Sequence, residues 1–198
     1  MVKIRFGTDG WRAIIADEFT TANVRRVAEA TGVWLLENKK NPSVVIGHDC
    51  RFAGDLFAET VALSLGAMGV KALLAEGFVS TPMISFGALT HVADLGIIIT
   101  ASHNPPLYNG FKLKGPYGGP LLPSMVEAIE QRIPECPDVS LSGVTCDNLL
   151  KKGLLQYIDL ETEYCRHLEK NFDIAAIRNS GLRIGHFDTF RPPNGYPF

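Results

Sequence analysis

One stretch of this chain leaves few choices of fold. Leu95-Gly96-Ile97-Ile98-Ile99-Thr100 is rich in β-branched residues and reads as a buried strand. It runs directly into Ala101-Ser102-His103-Asn104-Pro105-Pro106. Proline cannot donate to a central ladder, so the strand must stop near Thr100 and turn. That turn sets a hydroxyl, Ser102, at the carboxyl end of a strand, where ligands bind in open α/β sheets. Ser and Asn also favour turns through their own backbone hydrogen bonds, so the turn by itself fits a plain connection as well as a site.

Strand and helix patterns alternate around this stretch. Val2 to Phe6 is strand-like and leads into a Gly7-Thr8-Asp9-Gly10 loop. Thr20 or Thr21 can cap a helix to about Glu37, with Val24, Val27, Ala28, Thr31 and Leu35 on one face. Asn41-Pro42 breaks it, and Ser43 to Gly47 reads as the next strand. A helix from about Ala53 to Met68 repeats Phe57, Val61 and Leu65, with Gly69 as its stop. Val70 to Ala75 is a third strand, and Ser80-Thr81-Pro82 opens a short helix with proline suited to its first turn. After the serine turn, Phe111 to Lys114 suits antiparallel pairing with the serine-bearing strand, and Gly115 to Pro120 is a turn. Ser124 with Glu127 suggests a capping box for a helix reaching Ile133. The expected fold is α/β: a layered α/β/α sandwich with a mixed, mostly parallel sheet.

The Pro/Ser/Asp-rich composition from Pro134 to Asn148 then suggests a boundary. The expectation is one domain over 1–135, a linker over 136–158, and the incomplete start of a second domain over 159–198. In the last part Leu160, Tyr164, Leu168 and Phe172 share a helical stripe, and Leu182 to Gly185 begins a strand-like pattern. Arg191 to Phe198 reads as a loop. There is no repeat at solenoid spacing and no low-complexity run.

Composition narrows the function classes. With 46% hydrophobic and 20% charged residues in 198, the chain can bury a core and is not disordered. A net charge of −2 offers no general attraction to nucleic acid or an anionic membrane, so phosphate binding must come from local loops. The four cysteines include no Cys-x-x-Cys pair, which argues against structural zinc, a redox dithiol or a disulfide framework. No apolar leader or membrane-length run is visible, and the expected location is cytoplasmic.

Three further segments give the serine turn its meaning. Phe6-Gly7-Thr8-Asp9-Gly10-Trp11-Arg12 brings two glycines close to an arginine, a residue whose planar fork can bond two phosphate oxygens. Gly47-His48-Asp49-Cys50-Arg51 follows the second strand, where Asp49 and Arg51 can form a bracing ion pair. Tyr108-Asn109-Gly110-Phe111-Lys112 follows the serine turn. Together with Thr-Ala-Ser-His-Asn-Pro, these segments resemble the phosphohexomutases, the phosphoglucomutase and phosphomannomutase family, over about Ile4 to Ile133. A serine hydroxyl is a weak nucleophile unless activated. Phosphoryl transfer needs positioning and positive charge around the moving oxygens.

The resemblance implies that Ser102 carries the phosphoryl group and contributes one of its oxygens to a magnesium ion. It implies that Lys112 acts as general acid or base, or orients the reacting hydroxyl, and that Arg12 lies beside the phosphoserine. Strand periodicity alone does not separate Lys112 from Lys114, which share a face. His103 can donate to a phosphate oxygen or assist proton transfer, or can be a solvated turn histidine. Thr8, Asp9, Gly10 and Asn104 are the expected phosphate- and substrate-binding positions, with Asp49 and Arg51 supporting them. The implied reaction interconverts hexose 1-phosphates and 6-phosphates through a bisphosphorylated sugar, with hexose 1,6-bisphosphate as activator. Glucose, mannose and glucosamine phosphates stay open as substrates, the first two favoured by the wording of the serine segment.

Other parts implied by the resemblance are not in the sequence. No Asp-x-Asp occurs in the 198 residues, so the loop expected to supply the remaining magnesium ligands is absent. The expectation is a fragment, inactive as a mutase alone, with an apolar surface that invites self-association. Two other readings compete: a non-catalytic sugar-phosphate-binding module, and a serine hydrolase, which lacks the Gly-x-Ser-x-Gly elbow.

Overall fold

Alternation within short strands sorts this chain into two cores. The computed structural model describes residues 2–7 and 10–183. Its elements are β1 (Trp11–Ile14), α1 (Thr21–Asn38), β2 (Ser43–His48), α2 (Gly54–Ala67), β3 (Lys71–Ala75), α3 (Thr81–Thr90), β4 (Leu95–Ile99), β5 (Tyr108–Lys114), α4 (Pro123–Glu130), α5 (Cys146–Lys151), β6 (Leu155–Ile158), α6 (Leu160–Asn171) and α7 (Ile174–Asn179). The six strands form one sheet in the order β1-β5-β4-β2-β3-β6. β5 runs antiparallel to both its neighbours, while β4, β2, β3 and β6 pair in parallel. The result is the expected α/β sandwich with a mixed, mostly parallel sheet.

Successive strand residues face opposite sides. Val44, Ile46, Ala72, Leu74, Leu95, Ile97 and Ile99 join Phe111 and Leu113 in a large core with Val24, Val27 and Leu35 of α1 and Phe57, Val61 and Leu65 of α2. Val45, Leu73, Ala75 and Ile98 face the other way, onto Ile84 of α3. At about 1.5–3 kcal/mol for each large side chain fully buried, the α1/α2 face dominates the stability. Thr20 caps α1 by accepting from the Asn23 amide at 3.2 Å, and Ser80 caps α3 from the Met83 amide at 3.4 Å. Among the described residues no helix is long and apolar enough to cross a membrane.

The crossover helices place the site. The β2–α2–β3 crossover lies on one face and β3–α3–β4 on the other, yet β2 and β4 are neighbours. Their carboxyl ends therefore open a crevice where the strand order reverses, the usual ligand position in such sheets. Because β5 is reversed, its first residues arrive at the same edge.

Three expectations are corrected. Val2 to Phe6 is not a strand; the first strand is Trp11–Ile14. Side chains hold the earlier segment: the Phe6 amide donates to Glu130 Oε2 at 2.6 Å, and Arg26 Nη1 donates to the Val2 carbonyl at 3.1 Å. The helix α4 has no Ser124–Glu127 box; its N-cap is Leu122, whose side chain has no oxygen to accept a cap bond, and it starts on Pro123, which suits the first helical position. The stretch 136–158 is not a bare linker. Thr145 caps α5, and β6 pairs with β3 as the edge strand through Ala72↔Leu155 and its neighbours. Leu149 and Leu155 are buried in the large core, and the first compact unit runs through Leu160. A second unit begins at Glu161 and includes most of α6 and all of α7. The expected strand at Leu182 to Gly185 extends into residues outside those described.

Candidate active site

The turn after β4 holds its backbone tightly and leaves its hydroxyl outward. Ser102 is exposed and has φ 55°, in the left-handed region that L-residues other than Gly, Asn and Asp rarely occupy. That conformation costs about 1–2 kcal/mol and persists only where neighbours over-determine it. Here they do. The Ser102 amide donates to Thr100 Oγ1 at 3.0 Å, and the Ser102 carbonyl accepts from Arg51 Nη2 at 2.8 Å. The Asn104 amide closes the turn onto the Ala101 carbonyl at 3.0 Å.

Arg51, from the turn after β2, is the centre of this arrangement. Its guanidinium donates to four carbonyls of the serine loop: Ser102 at 2.8 Å, Asn104 at 2.6 Å, Pro105 at 2.9 Å and Tyr108 at 3.0 Å. Its Nε lies 3.6 Å from Asp49 Oδ2. Hydrogen bonds from a charged donor contribute about 1.5–3 kcal/mol each, so this one side chain offsets the left-handed residue several times over. Asp49 accepts from the Arg51 amide at 3.0 Å through Oδ1 and from the Thr100 hydroxyl through Oδ2. The β2 and β4 turns are thus one hydrogen-bonded unit across the crevice.

Arg12 reaches the same turn from β1, with Nη1 donating to Asn104 Oδ1 at 2.8 Å. Two glycines permit this approach. Arg12 pairs with Gly110, where a Cβ would stand 2.6 Å from the Thr100 carbonyl oxygen and 2.9 Å from that of Trp11. Gly10, at φ 100°, lies where a Cβ would meet the Phe111 carbonyl oxygen at 2.6 Å and Lys112 Cγ at 2.8 Å. Lys112 and Lys114 are both buried, at 3% and 6% exposure. They sit on the sheet face opposite Phe111 and Leu113, opposite Ile98 and Gly96 of β4 respectively. Lys112 stands nearer the carboxyl end of β4 and against Gly10, whereas Lys114 stands opposite the start of β4.

The structure thus brings Ser102, Asn104, Asp49, Arg51 and Arg12 together, with Gly10 packed on Lys112. His103 is exposed beside Ser102. Thr8 and Asp9 lie outside the described residues. Sequence reasoning missed Thr100, which is 4% exposed and links Asp49 to the Ser102 amide. It also missed that Arg51 serves mainly backbone carbonyls, which no residue letter records. Asn109 of the Tyr108-Asn109-Gly110 segment follows the serine turn. It is fully buried and accepts from the Gly110 amide at 2.9 Å, shaping the entry to β5.

The described residues do not by themselves fit a magnesium ion. Among the described residues no three His, Cys, Asp or Glu side chains gather in a group able to hold a metal. Asp49, the carboxylate tied to the serine turn, is already engaged on both oxygens.

Comparison with known proteins gives this geometry its family. The model of the phosphoglucomutase/phosphomannomutase alpha/beta/alpha domain I matches residues 3–138. The chain belongs to this family. Among phosphohexomutases of known structure, it superimposes on a Thermus thermophilus protein assigned as a phosphomannomutase, with a TM-score of 0.78 and 40% identity over 89% of this chain and 38% of that one. A phosphoglucosamine mutase from Thermotoga maritima is 34% identical over 87% of this chain and 38% of its own length. A phosphoglucomutase from Staphylococcus saprophyticus is 36% identical over 66% of this chain and 24% of its own. This phosphohexomutase chain therefore spans well under half the length of these relatives.

Proposed function

We propose that this chain is the phosphoryl-carrying part of a phosphohexomutase, with Ser102 as the carrier. One observation carries the reading. The Ser102 hydroxyl is the exposed feature of a turn whose backbone is pinned by Arg51 and whose Asn104 is tied to Arg12. What suits this turn to a carrier is the exposed hydroxyl held in place beside an arginine, because transfer at phosphorus depends on position and on nearby positive charge.

In the proposed reaction a sugar hydroxyl oxygen bonds to the phosphorus of phospho-Ser102 as the Oγ–P bond breaks. The hydroxyl proton passes to a base, and Oγ is left to recover a proton or to take phosphate back from the bisphosphorylated sugar. Arg12 supplies positive charge at the turn, His103 a donor to the phosphoryl oxygens, and Lys112 the acid–base or orienting role. Thr8, Asp9 and Gly10 would contribute loop contacts to the same anion. No step is assigned to magnesium, since the described residues gather no group of side chains to hold it. For the same reason ordinary mutase turnover is not expected of this polypeptide by itself. The substrate class is a hexose phosphate; relatives bearing phosphoglucosamine, phosphoglucose and phosphomannose names leave the sugar open.

The test is intact mass after incubation with a hexose 1,6-bisphosphate, followed by fragmentation to locate the modification. One phosphoryl group on Ser102, absent from Ser102→Ala, is expected. Sugar-phosphate binding with Ser102 never modified would favour a non-catalytic binding module and overturn the carrier reading.

A further inference from the structure

We propose that Thr100 is a positioning residue for Ser102, its hydroxyl setting the left-handed backbone that aims the Ser102 Oγ; the proposal rests on Ser102 being the phosphoryl carrier. Arg51 binds the carbonyls of four residues of the loop and so holds the loop as a whole. The φ angle of Ser102, however, is fixed by what happens at its own amide, and that amide has Thr100 Oγ1 as its acceptor at 3.0 Å.

A threonine hydroxyl has one proton and can point it in several directions. At Thr100 the direction is set, because the proton goes to Asp49 Oδ2. The lone pairs are then left for the Ser102 N–H, and donation to a carboxylate makes that oxygen a better acceptor. Asp49 is held in turn by the Arg51 amide at its other oxygen. The two peptide groups of Ser102 are therefore pinned from opposite sides, the N–H by Thr100 and the C=O by Arg51. The side chain between them has no hydrogen-bond partner among the described residues, as a group that must meet a substrate requires. Thr100 is buried beneath the turn, at 4% exposure.

The inference separates the hydroxyl of Thr100 from its bulk. Valine keeps the shape and loses the acceptor, whereas serine keeps the acceptor and loses a methyl group. In Thr100→Val the loop should stay folded under Arg51 while Ser102 relaxes out of the left-handed region. The experiment compares the 198-residue chain, Thr100→Val and Thr100→Ser in three readouts: phosphoryl incorporation at Ser102 from hexose 1,6-bisphosphate, thermal melting, and hydrogen exchange of the Ser102 amide by NMR. We expect Thr100→Val to take up phosphate about tenfold or more slowly at a half-saturating concentration within about twofold of the parent, with Thr100→Ser close to the parent. The Ser102 amide should exchange about tenfold faster in Thr100→Val alone, because only there is its hydrogen bond lost. Equal exchange in all three proteins, or equal loss of uptake in valine and serine variants, would overturn the proposal. No uptake by the parent chain counts instead against the carrier reading, and amide exchange then decides the role of Thr100 by itself. Should the valine variant fail to fold, Thr100→Ser decides through the same two readouts: a parent-like amide and rate support the hydroxyl, and loss of either overturns it.

Discussion

Two buried arginines perform the same physical task at different places in this chain, and only one of them serves the candidate site. Arg26 on α1 donates to the carbonyls of Pro134 and Val2 at 2.6 and 3.1 Å and to Asn23 Oδ1 at 2.9 Å. It fastens the N-terminal segment and the segment after α4 to the large core. Arg51 fastens the serine loop in the same way. Clamping irregular backbone with a guanidinium is thus ordinary scaffolding in this fold. What marks the Arg51 loop is its content: a left-handed serine with an outward hydroxyl, and a second arginine tied in from β1.

The comparison breaks first at Ser102. Ser102→Ala should abolish phosphoryl incorporation while leaving the melting temperature within a degree or two of the parent, since the exposed hydroxyl contributes no internal bond and exposed substitutions usually cost under about 0.5 kcal/mol. A variant that still takes up phosphate would remove the distinction between the two clamped loops. Next comes Arg51→Met, which should lower stability by about 2–4 kcal/mol and slow uptake about a hundredfold, because the loop carbonyls turn to water and the serine loses its place. Arg26→Met should show a similar stability loss of about 2–3 kcal/mol by denaturant unfolding, with uptake per folded molecule unchanged. Parallel loss of activity in both would mean that the site responds to general loosening rather than to its own clamp.

Gly110→Ala sharpens the contrast at the junction with β1. Its new Cβ would press on the Thr100 and Trp11 carbonyl oxygens, costing about 1–3 kcal/mol in unfolding measurements. The smallest expected effect lies far from the serine turn. Burial, then a hydrogen bond to Glu59, raises the pKa of the Cys146 thiol above its ordinary value. The folded chain therefore keeps that proton after the unfolded chain has lost it. This contribution is fully present below the ordinary thiol value and is lost as pH rises from there through the raised value of the folded chain. Cys146→Ser should flatten the alkaline fall in melting temperature slightly, and an unchanged slope would argue against a raised Cys146.

Much of the fold was legible because periodicity is local. The helices at Thr21–Asn38 and Gly54–Ala67 and the strand at Leu95–Ile99 follow from apolar spacing, caps and prolines within a few residues of each other. Two of the failures share one cause, partners distant in sequence. Val2 to Phe6 looked like a strand, but Glu130 and Arg26, distant in sequence, provide its partners. β6 was hidden because a short edge strand with an outward Gln156 and Tyr157 carries a weak pattern, and its partner β3 lies far earlier in the chain.

The residues of the site divide in the same way. Sequence alone determined that a hydroxyl would stand on a sharp turn beyond a buried strand, because β-branched residues, small polar residues and paired prolines restrict φ, ψ and hydrogen bonding where they occur. It also marked Asp49, Arg51 and Arg12 as residues of the right chemistry. Only the tertiary structure decided that Arg51 would hold four carbonyls of that turn and that Thr100 would mediate between Asp49 and Ser102. Backbone carbonyls are the same in every residue, so which of them an arginine finds depends on the strand order that sets β2 beside β4.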